Sequence, residues 1–409
     1  MGNILLISKE ILRKDYIGCY GGKHFDTPNI DKLAEKGTIF TNYYTAAPST
    51  AMAVTCMFTG LNAYELDRRS YTEVEQFTQV PTLFSVLEEG GYETHVIWPQ
   101  YQEHMTWKYS KIFDSGTKIH NLPSVATHIL AISHVGRDNT VVVENPEDTI
   151  TNMKFYQEMM EVIKAARKPV FIWMHCPHVF NPRTCVGSDI DLFDELVGKL
   201  MDSFDGNIYL TADHGGMLGE KGAFGYGFSV YEGVANIPLI TPFLGRKVVD
   251  EPTSSIQLKS IILEDRIYPQ EYVYSDTQYY EQPLRRLMIR KGDFKYIYNK
   301  KNKTEELYDL RYDPNENINL LFKERREPDR KLIYLLNQIY YYPRWDEAER
   351  ICFELREQKD RIWRSGNPLL EWLMLIRDNI VDRLPLWVIK IVQGISRHSK
   401  LVRRLTLLR

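Results

Sequence analysis

The sequence predicts an α/β fold: a mainly parallel central sheet flanked by helices, followed by a small C-terminal α+β subdomain and a helical basic tail. Short apolar runs rich in β-branched residues alternate with segments of helical pattern. The 409 residues are 44% hydrophobic and contain no low-complexity tract, as expected for a globular chain. The apolar runs predict strands over residues 4–7, 94–98, 170–174, 208–211 and 237–240.

Helix signals lie between these runs. Thr27 precedes Pro28 and Gly37 follows the apolar periodicity, so a helix is predicted to begin at Pro28 and to end before Gly37. A second helix is predicted over residues 83–89, and a short one is predicted from Thr50 to the residue before Gly60. Three units follow: a large α/β domain over 1–262, a small antiparallel-sheet subdomain over 263–322 and a helical region over 323–409.

The tail differs in charge from the rest of the chain. Residues 361–409 hold ten Lys and Arg against three Asp and Glu, a net charge of +7 in a chain whose total is −3. A basic amphipathic helix with Trp387 is predicted here, and it either binds an anionic membrane surface or packs on the body with a solvated basic face. No nucleic-acid partner is predicted.

Cysteine usage and the N-terminus predict a cytoplasmic protein, with the inner face of the cell membrane as an alternative through the tail. The five cysteines are scattered and form no C-x-x-C pair, which favours a reduced compartment. The first apolar run is too short for a signal peptide, and no apolar stretch has the length of about 20 residues that a membrane span needs.

Polar side chains follow three of the predicted strands. Glu10 follows the first, His175 and His178 follow the run over 170–174, and Asp213 with His214 follows the run over 208–211. Ligands of open α/β sheets bind at the carboxyl ends of strands, so these residues form a candidate site. Carboxylate and imidazole ligands suit zinc or manganese, and we expect one divalent transition metal ion.

Thr50 is the candidate nucleophile. At the start of a short helix its hydroxyl lies where unpaired backbone N–H groups favour an anion. A metal held by Glu10, Asp213 and His214 would lower the pKa of this hydroxyl. The alternative is that Thr50 only caps the helix, which is the more common role of a threonine in this position.

These motifs resemble the sulfatase family of the alkaline phosphatase superfamily, over roughly the first 320 residues. The resemblance implies an alkaline phosphatase/sulfatase-like fold and makes residues 1–262 the catalytic domain. The motifs that carry it are Gly18-Cys-Tyr-Gly-Gly22, Thr27-Pro-Asn-Ile-Asp31, Gly37-Thr-Ile-Phe-Thr-Asn42, His175-Cys-Pro-His178, Thr211-Ala-Asp-His-Gly215, Met217-Leu-Gly-Glu-Lys221 and Glu306-Leu-Tyr-Asp-Leu310.

The sequence departs from true sulfatases at the nucleophile. The family places Cys or Ser, later converted to formylglycine, in the pattern C/S-x-P-x-R, whereas this chain has Thr50 and no arginine at Val54. The set is similar to phosphoethanolamine transferases and lipoteichoic acid synthase. That likeness implies Zn or Mn held by Glu10, Asp213, His214 and Thr50, a covalent phosphothreonine, and His178 at the phosphoryl group or the leaving oxygen.

The predicted activity is therefore phosphoryl-group transfer, from a phosphorylated or lipid-linked small-molecule donor, with a group such as phosphoethanolamine or phosphoglycerol, to a glycan or lipid-linked acceptor. The alternatives are a soluble hydrolase of phosphodiester, phosphonate or sulfate esters, and an inactive relative used as a binding subunit. The candidates for substrate binding are His175, His104, Lys221 and Tyr226. For the segment around His104, simple packing of aromatic side chains is the alternative.

Overall fold

The computed structural model describes residues 2–66, 80–99, 113, 116–122, 152–177, 186–277, 285–321 and 342–364. The predicted basic tail beyond residue 364 lies outside this part of the chain. The strands are β1 (Asn3–Lys9), β2 (Thr38–Phe40), β3 (Tyr43–Tyr44), β4 (Glu93–Pro99), β5 (Lys118–Leu122), β6 (Val170–Cys176), β7 (Gly206–Ala212), β8 (Met217–Leu218), β9 (Phe224–Gly225), β10 (Asn236–Ile237), β11 (Leu239–Thr241), β12 (Val248–Val249), β13 (Thr253–Ser254), β14 (Val273–Asp276), β15 (Arg286–Lys291), β16 (Phe294–Asn299) and β17 (Thr304–Asp309). The helices are α1 (Pro28–Lys36), α2 (Thr50–Thr59), α3 (Leu83–Glu89), α4 (Asn152–Ala165), α5 (Val186–Ser203), α6 (Glu232–Ala235), α7 (Leu258–Glu264) and α8 (Trp345–Arg364).

Eight of the described strands form the central sheet, in the order β12-β2-β11-β7-β1-β6-β4-β5. Strand β1 lies between β6 and β7 and is parallel to both, and β4 continues the parallel pairing to β5. The residues of β6 are buried throughout, which is typical of a parallel sheet covered on both faces. The predicted α/β class with a mainly parallel sheet is confirmed.

The prediction of one strand over residues 237–240 is wrong, because the chain forms two short strands here. Ile237 belongs to β10, which pairs antiparallel with β3, whereas β11 begins at Leu239 and pairs antiparallel with β7. Pro238 stands between the two pieces. Because proline has no N–H to donate to a ladder, the chain changes partners at this residue.

The predicted helices begin and end as expected. Helix α1 has Pro28 in its first turn, and α2 ends at Gly60, whose φ of 78° is the left-handed conformation that favours glycine. The Thr27 hydroxyl makes no capping bond to α1 and instead accepts from the N–H of Gly18. Within the described residues, no helix is both long and apolar enough to cross a membrane.

A second sheet of four antiparallel strands, β14 to β17, follows the central one. Its apolar side chains form a separate core with α8, in which Leu287 and Tyr296 of the sheet join Ile351 and Leu355 of the helix. A buried charge cluster lies on this sheet: Lys295 contacts the carboxylates of Glu232 at 2.8 Å and Glu316 at 2.9 Å. Two carboxylates thus share one ammonium group.

The stability of the protein should depend on pH through Glu316. Burial raises the pKa of this carboxyl to about 7, despite the neighbouring Lys295. A carboxyl whose pKa is higher in the folded than in the unfolded state stabilises the fold fully at any pH below its unfolded-state pKa. This stability is lost as the pH rises through the folded-state pKa of about 7. We therefore expect Glu316→Gln to flatten the fall in melting temperature between pH 5 and 8, measured by calorimetry in matched buffers. An identical slope in the variant would contradict this.

Candidate active site

The central strands β1 and β7 bring the first candidate residues to one edge of the sheet. Their register pairs Ser8 with Thr211 and Lys9 with Ala212, so Glu10 and Asp213 leave neighbouring strands at the same level. The Glu10 N–H still bonds the carbonyl of Cys176 on β6 at 3.0 Å. The carboxyl ends of three adjacent strands therefore meet here, as the sequence predicts.

Asp213 is fully buried and only half of its carboxylate is satisfied. Its Oδ1 accepts from the N–H of His214 at 2.8 Å and from the N–H of Ile11 at 3.3 Å. Its Oδ2 accepts no hydrogen bond from the described residues. Ile11 has a φ of 57°, which costs a β-branched residue about 1–3 kcal/mol, so this backbone is held in place by its surroundings.

His214 is fully buried, and its hydrogen bonds define its tautomer. Nδ1 lies 2.9 Å from the carbonyl oxygen of Gly215, which can only accept, so Nδ1 carries the proton. In the neutral ring Nε2 then carries a lone pair, 3.4 Å from Asp213 Oδ2. The ring of Tyr226 stacks on the imidazole at a centroid distance of 4.3 Å and holds its plane.

Thr50, which is distant in sequence, is the third member of this group. It is the first residue of α2, and Ser49 rather than Thr50 takes the N-cap position. The Thr50 hydroxyl lies 3.3 Å from His214 Nε2, whose lone pair can accept its proton. Thr50 is therefore not the N-cap of α2, and its role as nucleophile stays a prediction.

His175 is a buried residue of β6 rather than a residue that follows it. Its Nδ1 lies 2.8 Å from the hydroxyl of Ser8, and the indole N–H of Trp173 donates to that hydroxyl at 2.8 Å. His175 Nε2 has no hydrogen-bond partner among the described residues. Burial lowers the pKa of His175, which favours the neutral ring.

Arg13 links the segment that follows β1 to the segment that follows β7. Its guanidinium donates to the Gly216 carbonyl at 2.9 Å and pairs with Asp15 and Glu220, each at 2.6 Å. The neighbouring Gly215 allows a close backbone contact, since a Cβ there would lie 2.1 Å from the carbonyl oxygen of Gly233. These contacts fix the segment that follows β7 and with it His214.

The family to which this chain belongs is established by a family model that matches more than half of its residues. The model described as Sulfatase covers residues 2–264, more than half of the 409-residue chain. The chain belongs to the sulfatase family. Sulfatase-family proteins are metal-dependent enzymes acting on ester bonds, and this chain is a sulfatase-like enzyme.

Named relatives of this sulfatase-family chain are hydrolases. An arylsulfatase of Clostridium perfringens is 21% identical over 485 residues, which cover 90% of this chain and 97% of that protein. The structure of a 2-O GAG sulfatase superposes with a TM-score of 0.62 at 17% identity, covering 90% of this chain and 94% of the other. A phosphonate monoester hydrolase of Agrobacterium radiobacter gives 0.57 at 16% identity, covering 88% and 96%. These structural likenesses show the fold.

The predicted metal ligands of this sulfatase-family chain are brought together in part. Thr50, Asp213 and His214 converge, but in the described ranges no three His, Cys, Asp or Glu side chains stand close enough to hold a metal ion. Glu10 lies at the same edge and acts electrostatically on His175. The unsatisfied Asp213 Oδ2 opposite the Nε2 lone pair nevertheless fits a cation, because two buried lone pairs 3.4 Å apart are stabilised by a shared positive charge.

The other predicted substrate-binding residues have different positions. Lys221 donates to the Glu316 carbonyl and lies over the rings of Tyr231 and Tyr308. Its ammonium group therefore contacts residues beside the second sheet. Tyr226 contacts His214. His104 and the predicted acid His178 lie outside the described residues.

Sequence reasoning missed three residues that shape the site: Ser8, Trp173 and Arg13. Ser8 and Trp173 lie inside apolar runs, where they suggest core packing. One signal was available: Trp173 and His175 are two residues apart in a strand, so their side chains share one face of the sheet.

Proposed function

We propose that this protein is a metal-dependent hydrolase of phosphodiester or phosphonate esters that uses Thr50 as a covalent nucleophile. The observation that supports it is the Thr50 hydroxyl at the start of α2, 3.3 Å from His214 Nε2 and beside the unsatisfied carboxylate of Asp213. Sulfate esters are disfavoured because threonine cannot be converted to formylglycine. Hydrolysis is favoured over transfer because the relatives named above are hydrolases.

Asp213 and His214 are the residues that would hold the metal ion, with Glu10 and Thr50 completing the set. When bound, a divalent ion lowers the pKa of a coordinated hydroxyl and offsets negative charge on the phosphoryl oxygens. The imidazole of His214 favours Zn or Mn over the hard cations, which prefer oxygen ligands alone. The backbone of Glu10 lies next to that of Asp213, because β1 and β7 are paired in register up to Lys9 and Ala212.

The first chemical step is an in-line displacement at phosphorus. A bond forms between Thr50 Oγ and phosphorus as the bond to the leaving alcohol breaks. The Thr50 hydroxyl gives its proton to water, and the leaving oxygen takes a proton from His178 or from water. A water molecule then attacks the phosphothreonine, which releases the phosphate or phosphonate product and restores the Thr50 hydroxyl. If an acceptor hydroxyl replaced water in this second step, the same residues would perform the transfer that the sequence predicts.

Helix α2 is suited to bind the phosphoryl group under attack. It has ten residues, nine of them buried, so its first-turn N–H groups lie at the Thr50 end of the helix with little competition from water. The partial positive charge at a helix N-terminus stabilises an anion placed there. Thr50, as the first residue of this turn, lies beside the position such an anion would take.

The proposal is tested by a substrate panel with one chromophore. The purified protein, loaded in turn with Zn, Mn, Ca or Mg, is assayed on bis(p-nitrophenyl) phosphate, p-nitrophenyl phenylphosphonate, p-nitrophenyl phosphate and p-nitrophenyl sulfate. We expect the phosphodiester or the phosphonate to have the highest kcat/KM, and mass spectrometry of the quenched reaction to find one substituted phosphoryl group on the peptide that contains Thr50. A preference for the sulfate ester, without any adduct on that peptide, would refute it.

A further inference from the structure

Two buried hydrogen bonds beside the site, which the proposed function does not use, join Ser8 to Trp173 and to His175. Ser8 of β1 and His175 of β6 are direct partners in the parallel ladder, and Trp173 lies two residues before His175 on the same face. The Ser8 hydroxyl is 2.8 Å from Trp173 Nε1 and 2.8 Å from His175 Nδ1. All three side chains are buried, with no more than 2% of any residue exposed.

The direction of these hydrogen bonds follows from which of the three side chains can donate a proton and which can accept one. The indole N–H of Trp173 can only donate, so it occupies a lone pair of the Ser8 oxygen. The Ser8 proton must then have an acceptor, because a buried hydroxyl without one costs about 1–3 kcal/mol. His175 Nδ1 is the acceptor within reach. In the neutral ring the proton of the imidazole therefore resides on Nε2.

We propose that Ser8 and Trp173 are positioning residues that fix His175 as the Nε2–H tautomer, so that its remaining N–H donates to an anionic oxygen of the substrate. This inference rests on the proposed function. His175 Nε2 is buried and has no hydrogen-bond partner in the described part of the chain. A donor at this point complements a phosphoryl oxygen, whereas a ring nitrogen that carries a proton does not bind a metal ion. His175 is thus assigned to the substrate and His214 to the metal.

The tautomer can be measured without substrate. In metal-free protein with 15N-labelled histidine, two-bond 15N–1H correlations identify the protonated ring nitrogen, and His175→Gln identifies the signals of His175. We expect the proton on Nε2 in the wild type and on Nδ1 in a substantial fraction of Ser8→Ala. A wild-type ring that carries its proton on Nδ1 would overturn the assignment, whatever the activity of the enzyme.

The effect on turnover is tested with a matched set. Ser8→Ala should lower kcat about 10-fold to 100-fold, because it removes the hydrogen bond that orients His175, with little change in metal content. Ser8→Thr, which keeps the hydroxyl, should restore both the tautomer and most of kcat. Ser275→Ala is the control, because Ser275 is also a buried strand serine but its hydroxyl bonds none of the described residues.

These readouts separate failure of this inference from failure of the proposed function. A Ser8→Ala variant with the wild-type tautomer, or with an altered tautomer and unchanged kcat on the best ester, would overturn the role of Ser8. A protein without esterase activity that still shows the Nε2–H tautomer and its loss in Ser8→Ala would overturn the function and keep the assignment of the tautomer.

Discussion

Thr50→Ala is expected to lower kcat/KM for phosphodiester or phosphonate hydrolysis by at least about 10³-fold, because it removes the nucleophile and leaves only binding and electrostatic effects. The fold should persist. Thr50 is the first residue of α2, where alanine is accepted, and its hydroxyl contacts His214 rather than the backbone of the helix. The measurement is steady-state kinetics on the best ester of the panel, with circular dichroism and melting temperature to verify folding.

Thr55→Ala is the matched control for this variant. Thr55 lies on the same helix, is also buried, and donates its hydroxyl to the Ala51 carbonyl at 2.8 Å. Its loss should cost about 1 kcal/mol of stability and leave kcat/KM close to the wild-type value. If Thr50→Ala kept more than a tenth of the activity while folding normally, covalent catalysis by Thr50 would be ruled out.

The parts of the fold that were predictable from sequence are those with local signals. Helix α1 is marked by Pro28 and Gly37, and strands such as β6 are continuous apolar runs. The antiparallel β11 was not predictable, since the partner of a three-residue strand depends on distant chain segments. Pro238 gives a local reason for the break but not for the new partner.

The candidate site shows the same division. The strand-end rule correctly brings Asp213 and His214 to one edge of the sheet, because parallel strands share a direction. It could not position Lys221, whose φ of 55° turns the chain toward the second sheet and the Glu316 carbonyl. Nor could it identify Ser8, whose contact with His175 depends on the register between strands that are 167 residues apart.

Asp213→Asn is expected to have opposite effects on stability in the metal-free and metal-loaded protein. Without metal, the wild type buries a carboxylate whose Oδ2 accepts no hydrogen bond from the described residues and faces the Nε2 lone pair of His214 at 3.4 Å. An asparagine amide in its place can donate to that lone pair while its oxygen keeps the N–H donors of Oδ1. The variant should therefore melt above the wild type in a chelator, since burial of an unpaired charge is costly.

With metal, the order should reverse. An ion that binds the folded state alone stabilises it by about 2.7 kcal/mol at a free concentration 100 times its Kd, and the neutral amide should lose most of this gain. The measurement is the melting temperature with and without Zn or Mn, together with the metal content of the dialysed protein. Asp205→Asn is the control, since Asp205 is exposed and precedes β7 at the opposite end of the strand. An Asp213→Asn protein that binds one metal ion and gains as much stability from it as the wild type would place the metal elsewhere. In that case Thr50 would depend on His214 alone for its activation.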